Sequence, residues 1–153
     1  QASTGVTRPR PKGVTAVGCA GDEGPMISGT ARGDIYVNFV HQVPHPLVNV
    51  HNGCITEFAL PFGFSKLEED SSWYMAASSE DGTASVMSFE AGEVDIQFLQ
   101  HGCKVLGIRH IERGSNGNED NESVASFVTQ THTDVFVWSK RGTQLFSFTE
   151  LLQ

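Results

Sequence analysis

Two histidines, His51 and His101, stand 50 residues apart, and each leads within four residues into an apolar strand, at Ile55 and at Val105. A repeat of that length has room for four short strands. Units of this kind bury their faces by stacking on neighbours, which restricts the chain to few architectures. Inside the second unit, Ser79-Glu80-Asp81-Gly82-Thr83 separates two small-residue and apolar runs, Trp73 to Ser78 and Ala84 to Phe89. Asp-Gly between such runs predicts a β-hairpin with a two-residue type I′ turn at Asp81-Gly82, because that turn needs positive φ at both central positions.

The same alternation of strand and turn runs through the rest of the chain. Residues 1–12 are polar, with Pro9 and Pro11, and read as a linker or tail. Val14 to Cys19, Met26 to Thr30, Ile35 to Val40 and Leu47 to Val50 are the strands of a first unit, with Gly33 in its middle turn and Pro44 and Pro46 marking an edge. Cys54 to Leu60, Trp73 to Ser78, Thr83 to Phe89 and Val94 to Leu99 form the second, with a long connection from Pro61 to Ser72. Its Phe62, Phe64 and Leu67 are expected to cover a sheet edge, the alternative being a binding surface. Lys104 to Ile111, Val124 to Thr129, Val135 to Trp138 and Gln144 to Thr149 form the third, interrupted by a polar, mobile loop from Glu112 to Ser123. Three four-stranded antiparallel sheets with almost no helix are predicted near residues 13–50, 54–99 and 103–149.

The order histidine, strand, connection, strand, Ser-x-Asp-Gly-Thr, strand in the second unit resembles a blade of the WD-repeat β-propeller family. The resemblance covers residues 13–153, as blades at 13–50, 51–100 and 101–153. It implies an all-β fold, a partial β-propeller of about three four-stranded antiparallel blades. It also implies a hydrogen-bonded set in each blade: His before the first strand, Ser or Thr on the second, Asp in the middle turn and Trp on the third. Carried onto this chain, the set is His51, Ser78 or Ser79, and Asp81 in the second blade, with Met87 where Trp is usual. In the third it is His101 and Trp138, with His132 at the Asp position, which predicts a weaker or rearranged set. The first blade has Arg32 at the Asp position, Asn38 at the Trp position and no His. Such sets satisfy polar groups inside a dry sheet and serve structure. No Gly-x-Ser-x-Gly elbow accompanies them, so a hydrolase triad is not expected.

Charge and cysteine usage narrow the partners. The net charge is −8, and from Glu68 to Asp95 there are eight acidic residues (Glu68, Glu69, Asp70, Glu80, Asp81, Glu90, Glu93, Asp95) and no Lys or Arg. That argues against direct nucleic-acid binding, which needs cations for the phosphates, and leaves a solvated acidic face or a basic protein partner. Cys19, Cys54 and Cys103 are odd in number and scattered, which reads as reduced, buried thiols in a cytoplasmic or nuclear protein. No Cys-x-x-Cys pair or phosphate-binding glycine loop is present, so no metal or other cofactor is expected. No apolar run approaches the length of a membrane span.

The resulting expectation is a non-catalytic protein-interaction scaffold, a segment of a propeller within a larger protein or complex. The alternatives are an accessory propeller subunit that holds an enzyme or RNA, and an all-β enzyme domain. Closed propellers have about 4–8 blades, so three blades leave two faces open. The expected partners are therefore other proteins and the remaining blades, from the same or another chain. Ile35, Val37, Phe136 and Trp138 are the candidates for those open faces.

Overall fold

The computed structural model describes residues 13–19, 25–38, 45–47, 50–60, 73–90, 93–111 and 124–148. The tail at 1–12, the connection at 61–72 with Phe62, Phe64, Leu67, Glu68, Glu69 and Asp70, and the loop at 112–123 lie outside the described residues. The described chain is all-β, with twelve strands, no helix, and three four-stranded antiparallel sheets that do not close into a ring.

The first sheet is β1 (Val14–Cys19), β2 (Met26–Thr30), β3 (Ile35–Asn38) and β4 (His45–Leu47). The second is β5 (Ile55–Ala59), β6 (Trp73–Ser79), β7 (Thr83–Glu90) and β8 (Glu93–Gln100). The third is β9 (Gly107–His110), β10 (Ala125–Gln130), β11 (Val135–Ser139) and β12 (Gln144–Ser147). In each, neighbouring strands are consecutive in sequence. The first strands line up from sheet to sheet, β1 against β5 and β5 against β9.

Asp81 and Gly82 do sit at the β6–β7 hairpin tip, but the loop is three residues, Glu80 to Gly82, and not a two-residue turn. Ser78 pairs with Ala84, which centres the turn on Asp81. The physical reason lies in the glycine: a three-residue loop closes as an ordinary turn followed by one residue in the left-handed region, and Gly82 supplies it with φ +93°. Gly33 in the β2–β3 turn (φ +93°) and Gly142 in the β11–β12 turn (φ +92°) do the same. A side-chain oxygen braces each turn. Thr30 Oγ1 accepts from the Asp34 N–H at 3.2 Å, Ser79 Oγ from the Asp81 N–H at 3.2 Å, and Ser139 Oγ from the Thr143 N–H at 3.1 Å.

Strand alternation gives the second sheet two apolar faces. Trp73, Met75, Ala77 and Met87 pack with Ile27, Ile35 and Val37 of the first sheet. Tyr74, Ala76, Val86 and Leu99 pack with Ile108, Phe127 and Trp138 of the third. This corrects the expected open faces. Ile35, Val37 and Trp138 are buried, and Phe136 packs at the same interface as Trp138. In a β-strand a shift of one residue exchanges the faces. Among the described residues the large exposed apolar side chains are instead Val14, Val17 and Met26 on the first sheet, Phe98 on the edge strand of the second and Phe146 on the third.

The expectation of buried thiols also changes. Cys19 and Cys103 are exposed and Cys54 half-buried, and none forms a disulfide. Cys19 pairs with exposed Met26 at the end of β1, and Cys103 lies in the connection before β9. Of the acidic run, Glu80, Glu90, Glu93 and Asp95 are solvent-exposed, whereas Asp81 is half-buried and bonded.

Candidate functional site

The polar side chains that the sequence singles out gather between the sheets. His51 enters at the junction of the first and second sheets, where its N–H donates to the Gly33 carbonyl at 3.1 Å. The His101 N–H makes the equivalent bond to the Gly82 carbonyl at 2.9 Å, at the junction of the second and third. Each histidine is therefore pinned by the glycine turn of the preceding sheet.

The His51 ring is buried, with 2% exposure. Its Nδ1 lies 2.9 Å from Thr83 Oγ1 and 3.2 Å from Asp81 Oδ2, and its Nε2 lies 2.9 Å from Ser85 Oγ. The Thr83 hydroxyl gives its proton to Asp81 Oδ1 at 2.6 Å, so Thr83 Oγ1 accepts from Nδ1–H. Nε2 then accepts from the Ser85 hydroxyl. Asp81 also accepts from the Asn52 N–H at 3.0 Å and the Thr83 N–H at 2.8 Å. Every polar atom of the imidazole is satisfied in its neutral form.

Ser78 and Ser79 do not take part in this set. Ser78 Oγ lies 2.6 Å from Thr56 Oγ1, and Ser79 Oγ donates to the Gly53 carbonyl at 3.1 Å. Ser78 points to the face shared with the third sheet, away from His51. Ser85, directly opposite Ala77, is on the His51 face and supplies the hydroxyl. Sequence reasoning missed it by placing the hydroxyl on the second strand of the sheet.

At His101 the acid is replaced by a backbone carbonyl. Nδ1–H donates to the Leu99 carbonyl at 2.9 Å, and Nε2 lies 2.7 Å from Thr129 Oγ1. The Trp138 indole N–H donates to the same Thr129 oxygen at 2.8 Å. The chain of donors runs from Trp138 through Thr129 to His101. His132 is exposed in the β10–β11 turn and takes no part in this set. Thr129 pairs across the ladder with Phe136, whose ring meets His101 edge-on at 5.1 Å. The hydroxyl has thus changed strands between the two sets: Ala77 opposite Ser85 in the second sheet, Thr129 opposite Phe136 in the third.

Burial holds both imidazoles below the ordinary value of 6.5, and at His51 it outweighs the opposing pull of Asp81. The Asp81 carboxyl is also held low, although burial pushes it up, because Thr83, Asn52 and His51 together favour the carboxylate. Ser85, His51 and Asp81 have the connectivity of a hydrolase triad. Ser85 is fully buried.

A cleft of ≈ 470 Å³ opens elsewhere, between the second sheet and the β11–β12 turn, lined among others by Tyr74, Ser88, Asp95, Gln97, Lys140 and Arg141. Lys140 Nζ covers the Tyr74 ring at 4.2 Å from its centroid. No known family model matches the sequence, and no curated protein matches it either.

Proposed function

We propose that this chain is a segment of a WD-repeat-like β-propeller and acts as a non-catalytic protein-interaction scaffold within a larger protein or complex. One observation carries the reading: the junction between successive sheets is used twice, with His51 N–H on the Gly33 carbonyl and His101 N–H on the Gly82 carbonyl. A repeated junction of this kind extends by adding sheets, and the apolar side chains at the two ends, Val17 and Phe146, are where it would continue. In this reading the histidine sets hold the sheets together, and the partners are other proteins and further sheets. The exposed acids Glu80, Glu90, Glu93 and Asp95 suit a basic protein surface. Three cysteines without a disulfide suit a reducing compartment, cytoplasmic or nuclear.

The reading is tested by sedimentation of the isolated chain over a concentration series, where self-association is expected. A stable monomer with one cooperative melt overturns it and favours a closed β-sandwich or barrel. The runner-up, an all-β hydrolase, rests on the Ser85–His51–Asp81 connectivity. A fluorophosphonate probe separates the two: Ser85 stays unlabelled in a scaffold, and labelling of Ser85 in the folded chain overturns the non-catalytic reading.

A further inference from the structure

The first strands pass a hydroxyl from sheet to sheet. Thr15 on β1 donates to the Ile55 carbonyl at 2.6 Å, and Thr56 on β5 donates to the Val105 carbonyl at 2.8 Å. These are one contact used twice. Thr15 stands at the register break of β1, between Val14 and Ala16, and Thr56 stands at that of β5, between Ile55 and Glu57. Each acceptor lies one residue before the matching position in the next sheet. In the third sheet that position is Leu106, since Leu106 precedes Gly107, the partner of Gln130, as Thr56 precedes Glu57, the partner of Ser78. Leu106 has no hydroxyl to pass on. At the other end, Val14 holds the acceptor position, on a sheet whose Val14, Val17 and Met26 are 62%, 74% and 61% exposed.

We propose that the open face of the first sheet is covered by a further four-stranded antiparallel sheet whose first strand bears a serine or threonine donating to the Val14 carbonyl. The third sheet of a second copy of this chain is the wrong occupant. It would bring Leu106 to the Val14 carbonyl, and a carbonyl buried against a side chain without a donor is destabilising. The two ends are thereby made unlike, and head-to-tail association of identical copies through their apolar faces is weakened, though not abolished, by the missing hydrogen bond. This inference rests on the reading of the chain as part of a larger assembly.

The experiment compares Leu106→Thr with Leu106→Val in the full chain, since threonine and valine differ in the hydroxyl while sharing a shape. Sedimentation velocity over a concentration series should show Leu106→Thr associating about three- to tenfold more tightly, the effect of one hydrogen bond. Amide exchange at residues 14–17 should slow on association in that variant. Equal association of the two overturns the proposal. Monomers throughout, for the native chain and both variants, overturn the larger-assembly reading itself, a separate failure. Thr56→Val guards against a variant that does not fold: it should lower the melting temperature, and an unchanged melt shows that the hydroxyl contact does not select anything.

Discussion

His51 joins the β6–β7 turn to β7, because its ring meets Asp81 in the turn and Thr83 and Ser85 on the strand. His51→Ala leaves the Ser85 hydroxyl and the Asp81–Thr83 pair without their buried partner, so it should cost about 1–3 kcal/mol in a urea titration. An unchanged midpoint would mean that water replaces the ring without loss. The pH dependence follows from the same burial. The folded-state values of His51 and His101 lie below 6.5, so as pH falls through 6.5 the unfolded chain takes up protons that the folded chain does not. Stability is therefore expected to be full above about pH 7 and to decline through the range below 6.5. Asp81 adds a second loss at lower pH, below 3.8, because its folded value is also depressed. Thermal melts from pH 8 to pH 4 check the first decline, and the His51→Ala, His101→Ala double variant should flatten it.

At the scale of the hairpin, the three left-handed glycines look alike in backbone but not in surroundings. A Cβ on Gly33 would run into the His51 carbonyl, part of the backbone that joins the first sheet to the second. A Cβ on Gly82 would meet nothing closer than the His101 carbonyl at 3.5 Å. Gly82→Ala should thus cost only the strain of positive φ, about 1 kcal/mol. Gly33→Ala should cost several times that, because main chain must move. Paired denaturation curves decide it, and equal costs would show that the first junction is looser than drawn. Most strands were legible in the sequence from alternation and turn residues, with Val14–Cys19 and Met26–Thr30 at the expected bounds, but β4 begins at His45 rather than Leu47 and β9 at Gly107 rather than Lys104. The turn type at Asp81-Gly82 was not. Dipeptide chemistry favours a two-residue loop, and only the pairing of Ser78 with Ala84 shows three. A signal for it stood in the chain, since Thr30, Ser79 and Ser139 each precede a glycine by three residues.

The molecule as a whole ends in two apolar faces. Val17 and Phe146 are 74% and 60% exposed, one on each terminal sheet. Replacing both, Val17→Ser with Phe146→Ser, should weaken self-association about tenfold or more, since burying either side chain stabilises by about 1.5–3 kcal/mol. Light scattering of the double variant beside the native chain measures this. The far-ultraviolet circular dichroism should not change, because neither residue packs within the two buried cores.

By itself the sequence determined the class of structure: short runs of strand length, glycine turns and a 50-residue spacing of histidines leave little besides stacked antiparallel sheets. That His51 and Asp81 meet was expected only from the resemblance to a WD-repeat blade, and the structure brings them to 3.2 Å. What it left open was parity. Side chains alternate across a strand with period two, so a displacement of one residue carries a group to the opposite face without altering the pattern of apolar and polar types. Tertiary structure decided that Ser85 and not Ser78 serves His51, that Ile35, Val37 and Trp138 point into the cores, and that Val14, Val17 and Phe146 are left outside. Cross-strand register and inter-sheet packing set those outcomes, and both depend on residues far apart in the chain.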